Sequence, residues 1–599
     1  MTLPIRTEVE TKYKWSLEDF YPTLKEWEKE FGQGENQIAD IEGFKGRLGE
    51  GALTVRLAIE TYLTNLRRVE RLYTYAHMKS DEDTADSESL SLLDRAGGLF
   101  SRFAASASFL LPEMLDLPDE LTQGYLGDGV LEPYRRMLTE ILRFRPHTLS
   151  KEEENILALG SEVFGGADKI FSQLNNADFT FGVLKINGED KLLTHGTFIT
   201  FLKNPDPKIR KDAFEQYYKV YESHQNSLVS IYGTSLKTDC FLAKAKKYSS
   251  ALEKSLFPDQ VTTDVYTGLV KSASSSLSAL HEYYQFRKDR LKLSEITLAD
   301  THVPLVGDVK THYPYEQAID TLLEAFQPLG KDYVSILEKG VRAERWVDVY
   351  ETKSKRSGAY CSGCFDSKPY VLMNYKEDSL SDLFTLAHEL GHAMHAELTN
   401  RNQAYQDHQF GIFVAEVAST FNEQLLLAHL RKVYANNSQM LAFLLNHQLD
   451  EIKAMFYRQT MFAEFEMLTH EMVERHEAVT TDSLKESYTA LLKKYFGPAV
   501  SIKENNWVEC LRIPHFYSAF YVYKYATGLA ASLALSNSVL TGVSGAKEKY
   551  LKFLSSGAIK PPLDLLEDAG VNMRDGKATA TVAEIFASRL RELKSVIGN

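Results

Sequence analysis

Two histidines four residues apart, with a glutamate directly after the first, form the most chemically suggestive pattern in this chain: Ala387-His388-Glu389-Leu390-Gly391-His392. On an α-helix, positions i and i+4 share one face, so His388 and His392 can offer two neutral imidazoles to a single divalent metal. A catalytic zinc takes three protein ligands and keeps a fourth position for water. Glu389 sits beside that face but off it, where its carboxylate can activate the metal-bound water by taking its proton. The third ligand has to come from elsewhere. His395 shares the face of His388 but lies about 10 Å further along the axis at ~1.5 Å per residue, too far for one ion to reach all three histidines. We therefore read His395 as second shell or cleft lining. Glu416 is the better candidate. It lies in a second helical pattern, Phe413-Val-Ala-Glu-Val-Ala-Ser-Thr-Phe-Asn-Glu423, with apolar flanks on both sides. Thr420 and Glu423 fall on its face and can support it.

These residues need two well-placed helices. Ser379 followed by Asp382 reads as an N-terminal cap for the first. Leu383, Leu386, Leu390 and Met394 then fall opposite the histidines, giving that helix one face for a core and one for a cleft. Strand-like patches precede it at Trp346–Tyr350, Gly358–Cys361 and Tyr370–Asn374, and predict one small sheet near the middle of the chain. The strand around Gly358–Cys361, with Gly358 and Tyr360, or its partner at Tyr370–Asn374, is the candidate to hold a substrate backbone by strand addition. A further strand-like run from Phe179 ends at Asn187-Gly188, a strong hairpin signal. Elsewhere the pattern is helical, from a capping box at Ser16 and Asp19, through the run beginning at Ile59, to the C-terminus, with a break around Pro498 to Trp507. Cys361-Ser-Gly-Cys364 can in principle bind metal or cycle redox, but no second pair accompanies it. Arg512 can meet a peptide terminus or simply be solvated.

The composition of the 599 residues is that of a globular protein, 44% hydrophobic and 25% charged, and only 17 are proline, which favours long helices. Lys and Arg total 68 against 82 Asp and Glu, a formal charge of −14, which argues against nucleic-acid binding. Four cysteines are too few for a disulfide framework and suit a reducing compartment. No apolar leader opens the chain, and the uncharged stretch Tyr525–Gly545 is too polar to span a bilayer. The expectation is a cytoplasmic protein without membrane or nucleic-acid partners.

The strings HELGHAMH, AEVASTFNE and His515-Phe-Tyr-Ser-Ala-Phe-Tyr-Val-Tyr-Lys-Tyr-Ala-Thr-Gly528 together resemble the thimet oligopeptidase family of zinc metallopeptidases, and within it the oligoendopeptidase F branch. Thr197–Tyr218, Arg356–Tyr375 and the opening Trp15-Ser-Leu-Glu-Asp-Phe-Tyr extend the likeness over most of the chain. The resemblance implies a mainly α, two-lobed metallopeptidase with a deep substrate channel and a small β-sheet near the zinc helix. It implies an N-terminal helical region at 1–199, with an oligoendopeptidase F-type segment at about 115–185, and a catalytic region at 200–599. It makes His388, His392 and Glu416 the ligands of one zinc per chain and Glu389 the base. His515 maps onto a histidine that stabilises the oxyanion in this family. Tyr521 and Tyr523 are the expected tyrosine donors beside it, with Tyr517 and Tyr525 as substrate contacts. The resemblance implies endopeptidic cleavage of short unstructured peptides of roughly 6 to 20 residues, and the entropy of ordering an extended chain favours a lower limit. The alternatives are a zinc exopeptidase (a carboxypeptidase or dipeptidyl carboxypeptidase) on a similar helical fold, or a non-catalytic helical binding protein.

Overall fold

The computed structural model describes residues 3–307 and 309–598. It is mainly helical, 71% of the chain, with a few very short strands. The chain forms two compact units, each assembled from three separate stretches. One takes the residues up to Thr148, Lys310–His429 and Leu535–Gly570; the other takes Leu149–Val309, Leu430–Ala534 and the residues from Val571 on.

In the first unit, the run from Ile59 lies within a long helix, Ala52–Glu82, followed after a short turn by Ser87–Ala107. Asp86 caps the second of these, its carboxylate accepting the Ser89 N–H at 3.0 Å. Val69, Leu72 and Ala76 of the first helix and Leu92, Ala96, Leu99 and Phe103 of the second share one buried cluster with Trp15, Trp27 and the strand residues Tyr370 and Leu372. The helical pair thus backs the sheet beside the histidine motif. That sheet has three strands. Tyr370–Leu372 is central, Val347–Asp348 runs parallel to it, and Tyr360–Ser362 lies antiparallel on an edge.

The second unit contains the predicted hairpin, Val183–Ile186 paired with Glu189–Leu192. Asn187 and Gly188 both have positive φ, 54° and 85°, as a two-residue turn of this hand requires. The helix Pro207–Ser223 starts at an Asp206 cap, and its buried Arg210 pairs with Asp300 at 2.7 Å. The small-residue stretch near the C-terminus becomes the helix Tyr523–Leu540, in which Ala526, Leu529, Ala530 and Ala531 are fully buried. Among the described residues no helix is long and apolar enough to cross a membrane.

Three expectations need correction. Ser16 opens only a single 3-10 turn, Leu17–Asp19, because its hydroxyl bonds the Asp19 side chain rather than a backbone N–H. Besides the expected hairpin and mid-chain sheet, the described residues form an unexpected parallel pair, Ile296–Thr297 with Val500–Ser501, the latter strand inside the expected break. The tyrosine-rich motif is not one helix either. A 3-10 turn covers Pro514–Tyr517, Phe520 sits at φ 55°, and the helix begins only at Tyr523.

Candidate metal centre

The motif lies on the helix Leu380–Asn402. Ser379 caps it, accepting the Asp382 N–H at 3.3 Å. Leu383, Leu386, Leu390 and Met394 are completely buried, as their spacing predicts, and this fixes the rotation that turns His388 and His392 together to one side. Glu416 lies on the next helix, Ile412–Val433. The two helices approach closely at Gly391, where a Cβ would lie 2.6 Å from the Ala418 carbonyl oxygen and 2.7 Å from the Ser419 Cα. Only a glycine permits that approach, and the approach carries Glu416 to the histidines.

Glu416 Oε2 is 3.3 Å from His388 Nε2 and 3.7 Å from His392 Nε2. The candidate donor atoms of all three residues lie within 4.8 Å of one another. Ligands at ~2.0–2.2 Å from a tetrahedral zinc are separated by about 3.3 Å, so the donor set and its spacing fit this ion. His388 Nδ1 donates to Glu423 Oε1 at 2.6 Å, which leaves Nε2 as its ligand atom. Ser419 donates its hydroxyl to Glu416 Oε2 at 3.0 Å.

The electrostatics follow from this crowding. Burial opposes a charge on His388, but its hydrogen bonds with Glu416 and Glu423 prevail and hold its pKa up to about 10. Glu416, bonded to His388, is pushed down to about 2. Burial, with the His388 charge adding to it, takes His392 down to about 4. Glu389 is raised to about 7, first by burial and then by Glu416 and Glu423, which outweigh the attraction of His388. A buried carboxylate with its pKa near neutrality, beside a metal-ligand set, suits a general base.

The supporting residues are distributed less simply. Thr420 donates to the Glu416 backbone carbonyl at 2.6 Å, so Ser419, not Thr420, reaches the carboxylate. His395 is buried and stacked on Phe410 with ring centres 3.6 Å apart, and its Nδ1 has no hydrogen-bond partner. It packs the helix rather than bonding a ligand. Tyr360 gives its hydroxyl to Asp81 at 2.7 Å, which turns the phenol away from a substrate role. The edge strand that carries Tyr360 contributes differently, because its Cys361 backbone N–H faces the Glu389 carboxylate and offsets a little of the rise in its pKa. Gly358 sits at φ 87°, and its carbonyl accepts from Asn374 at 2.8 Å. Cys361 and Cys364, with His392 and Glu416, line a cavity of about 600 Å³. Burial raises both thiols, Cys364 to about 11, which makes them poor thiolates.

In the second unit, His515, Tyr521 and Tyr525 form one aromatic group, with ring centres 5.5 to 6.2 Å apart. Tyr523 is not part of it. Its side chain is fully buried against Tyr266, which leaves the phenol expected as a donor inside the core. Tyr517 stacks on Phe171 at 4.5 Å, a packing contact. Sequence reading missed Ser419 and Gly391. A small residue within the motif was the only sign of the helix approach, and nothing local distinguished Ser419 from Thr420.

Comparison with known proteins agrees with this geometry. Residues 200–583 match peptidase family M3, and residues 113–181 match the family described as oligopeptidase F. Oligopeptidase PepF of Bacillus subtilis is 41% identical over 597 residues, covering 99% of this chain and 89% of that protein. Group B oligopeptidase PepB of Streptococcus agalactiae serotype III is 35% identical, covering 99% of this chain and 98% of its own. The crystal structure of oligoendopeptidase-F from Enterococcus faecium superposes with a TM-score of 0.73 at 33% identity, covering 96% of this chain and 99% of that one. With its histidine motif inside a match that takes in well over half its length, the chain belongs to peptidase family M3, a family of metallopeptidases.

Proposed function

We propose that this protein is a cytoplasmic, zinc-dependent endopeptidase that hydrolyses internal bonds of short unstructured peptides. The observation that carries the proposal is the grouping of His388, His392 and Glu416 at zinc-ligand spacing beside a buried Glu389 poised near neutrality. His388, His392 and Glu416 would hold the ion, with Glu423 and Ser419 fixing the orientation of His388 and Glu416. Zinc bound there supplies a Lewis acid for the scissile carbonyl and raises the acidity of water. Glu389 takes the proton of the attacking water on its carboxylate and passes it to the leaving amine. The edge strand Tyr360–Ser362 has a free side on which an extended peptide can add as a further strand. His515, Tyr521 and Tyr525 are the candidate donors to the oxyanion. The names of the relatives, oligopeptidase and oligoendopeptidase, support peptides as the substrate class.

The test is Glu389→Gln. It keeps all three ligands, so zinc content should match the wild type while kcat falls about 10²–10⁴-fold. The assay peptide should be blocked at both ends, so that only internal cleavage registers. A variant that retains more than a few per cent of turnover would remove Glu389 from the mechanism.

A further inference from the structure

A second cavity, of about 500 Å³, lies wholly within the second unit, and its charges do not balance. Its walls are largely aromatic, with Phe198, Phe214, Tyr218, Phe462 and Phe496 among them. Four ionised side chains also line it: Lys453, Arg458, Glu509 and Arg512. Lys453 bonds Asp450 at 2.5 Å, and Asp450 also faces the fully buried Arg287 at 3.8 Å. Arg458 pairs with Glu509, whose carboxylate further accepts the hydroxyls of Tyr488 at 2.9 Å and Tyr218 at 3.4 Å. Both carboxylates are therefore fully engaged. Arg512 shares the field of Glu509, which Arg458 already pairs. Its Nε is buried without a hydrogen-bond partner, and its guanidinium lies 6.0 Å from the centre of the Tyr217 ring. Counting Arg287, four cations meet two carboxylates here.

A largely buried guanidinium that must share one carboxylate with a second arginine keeps unmatched charge, and its planar fork matches a further carboxylate. The cavity is far larger than an inorganic ion needs, and its aromatic walls suit an apolar body. We propose that this cavity binds an organic carboxylate, with the anion on Arg512 and the apolar portion against Phe198, Phe462 and Phe496. His515, three residues after Arg512, lines the same cavity. Two sources can supply the group: the carboxylate of a peptide substrate or a free small acid.

Binding can be measured without turnover, so the test is independent of the metal-centre reading. Calorimetry on the zinc-loaded full-length chain would compare N-acetylphenylalanine with its amide. The acid should bind at least tenfold more tightly. Arg512→Gln should erase that difference, and Arg512→Lys should keep part of it. Should Arg512→Gln not fold, the comparison of acid with amide on the wild type still decides. In a second arm, a peptide with a free C-terminus is compared with its amidated form. A rise in KM of at least fivefold on amidation identifies the peptide as the source; acid binding with unchanged KM identifies a free acid. Equal affinity for acid and amide, no binding of the acid at millimolar concentration, or an acid preference that survives Arg512→Gln overturns the proposal.

Discussion

At the scale of single residues, the site depends on four side chains whose protonation is set by one another. In the metal-free protein at pH 7.5, His388, held up to about 10, carries a proton, whereas His392, near 4, is neutral and Glu416, near 2, is ionised. Zinc requires a neutral imidazole, so loading it must displace the His388 proton. Glu389, near 7, is already mostly ionised and contributes only a small further fraction. The expected release is about one proton per zinc, falling towards zero as the pH rises past the His388 value. Calorimetric zinc titrations in buffers of different ionisation heat measure it, and no release at pH 7.5 would contradict the His388–Glu423 geometry. His388, His392, Glu389 and Glu416 were legible in the sequence because one helical repeat and one apolar-flanked acid define them. Ser419 and Tyr523 were not. Which of two neighbouring hydroxyls reaches a carboxylate, and which of four tyrosines turns inward, depends on packing from elements distant in sequence.

At the scale of elements, the contact at Gly391 holds the histidine helix and the Glu416 helix together and so keeps the three proposed ligands in place. Gly391→Ala would put a methyl group against the Ala418 carbonyl and Ser419 Cα, and neither backbone atom can move alone. The helices must separate, at a penalty of about 1–3 kcal/mol, and Glu416 moves away from the histidines with them. We expect zinc affinity to drop at least about tenfold with the helical content retained, as competition with a chromophoric chelator can read. Unchanged affinity would show that the approach does not position the ligand. The cap at Ser379 and the leucine stripe could be read from spacing alone. The segment Pro514–Tyr525 could not, since its repeating aromatics mimic a helix. Phe520 instead takes a left-handed conformation, its N–H donating at 2.8 Å to the buried Glu466 far away in sequence. Burial pushes the Glu466 carboxyl well above its ordinary range, so it holds this bend as a neutral acid.

At the scale of the whole molecule, scarce proline and helical spacing correctly predicted a mainly helical protein. The interleaving of three stretches in each compact unit left no trace in composition or local pattern, because it rests on contacts between residues hundreds of positions apart. The proposed preference for short peptides belongs to this scale. An extended substrate loses ~1–2 kcal/mol of backbone entropy per ordered residue, so very short peptides should bind poorly, while bulk around the scissile bond of a long chain should hinder access. A short peptide should be cut faster than the same sequence inside an unfolded chain of several hundred residues, as mass spectrometry of timed digests would record; equal rates would contradict the size limit. The central claim is that one zinc, held by His388, His392 and Glu416, serves an endopeptidase. It is tested most directly by stripping the metal and titrating zinc back while following cleavage of a peptide blocked at both ends. Activity should be absent without metal, rise linearly and reach its plateau at one zinc per chain, with every product arising from an internal cut. Full cleavage by the metal-free protein, or zinc binding at one per chain without any cleavage, would contradict it.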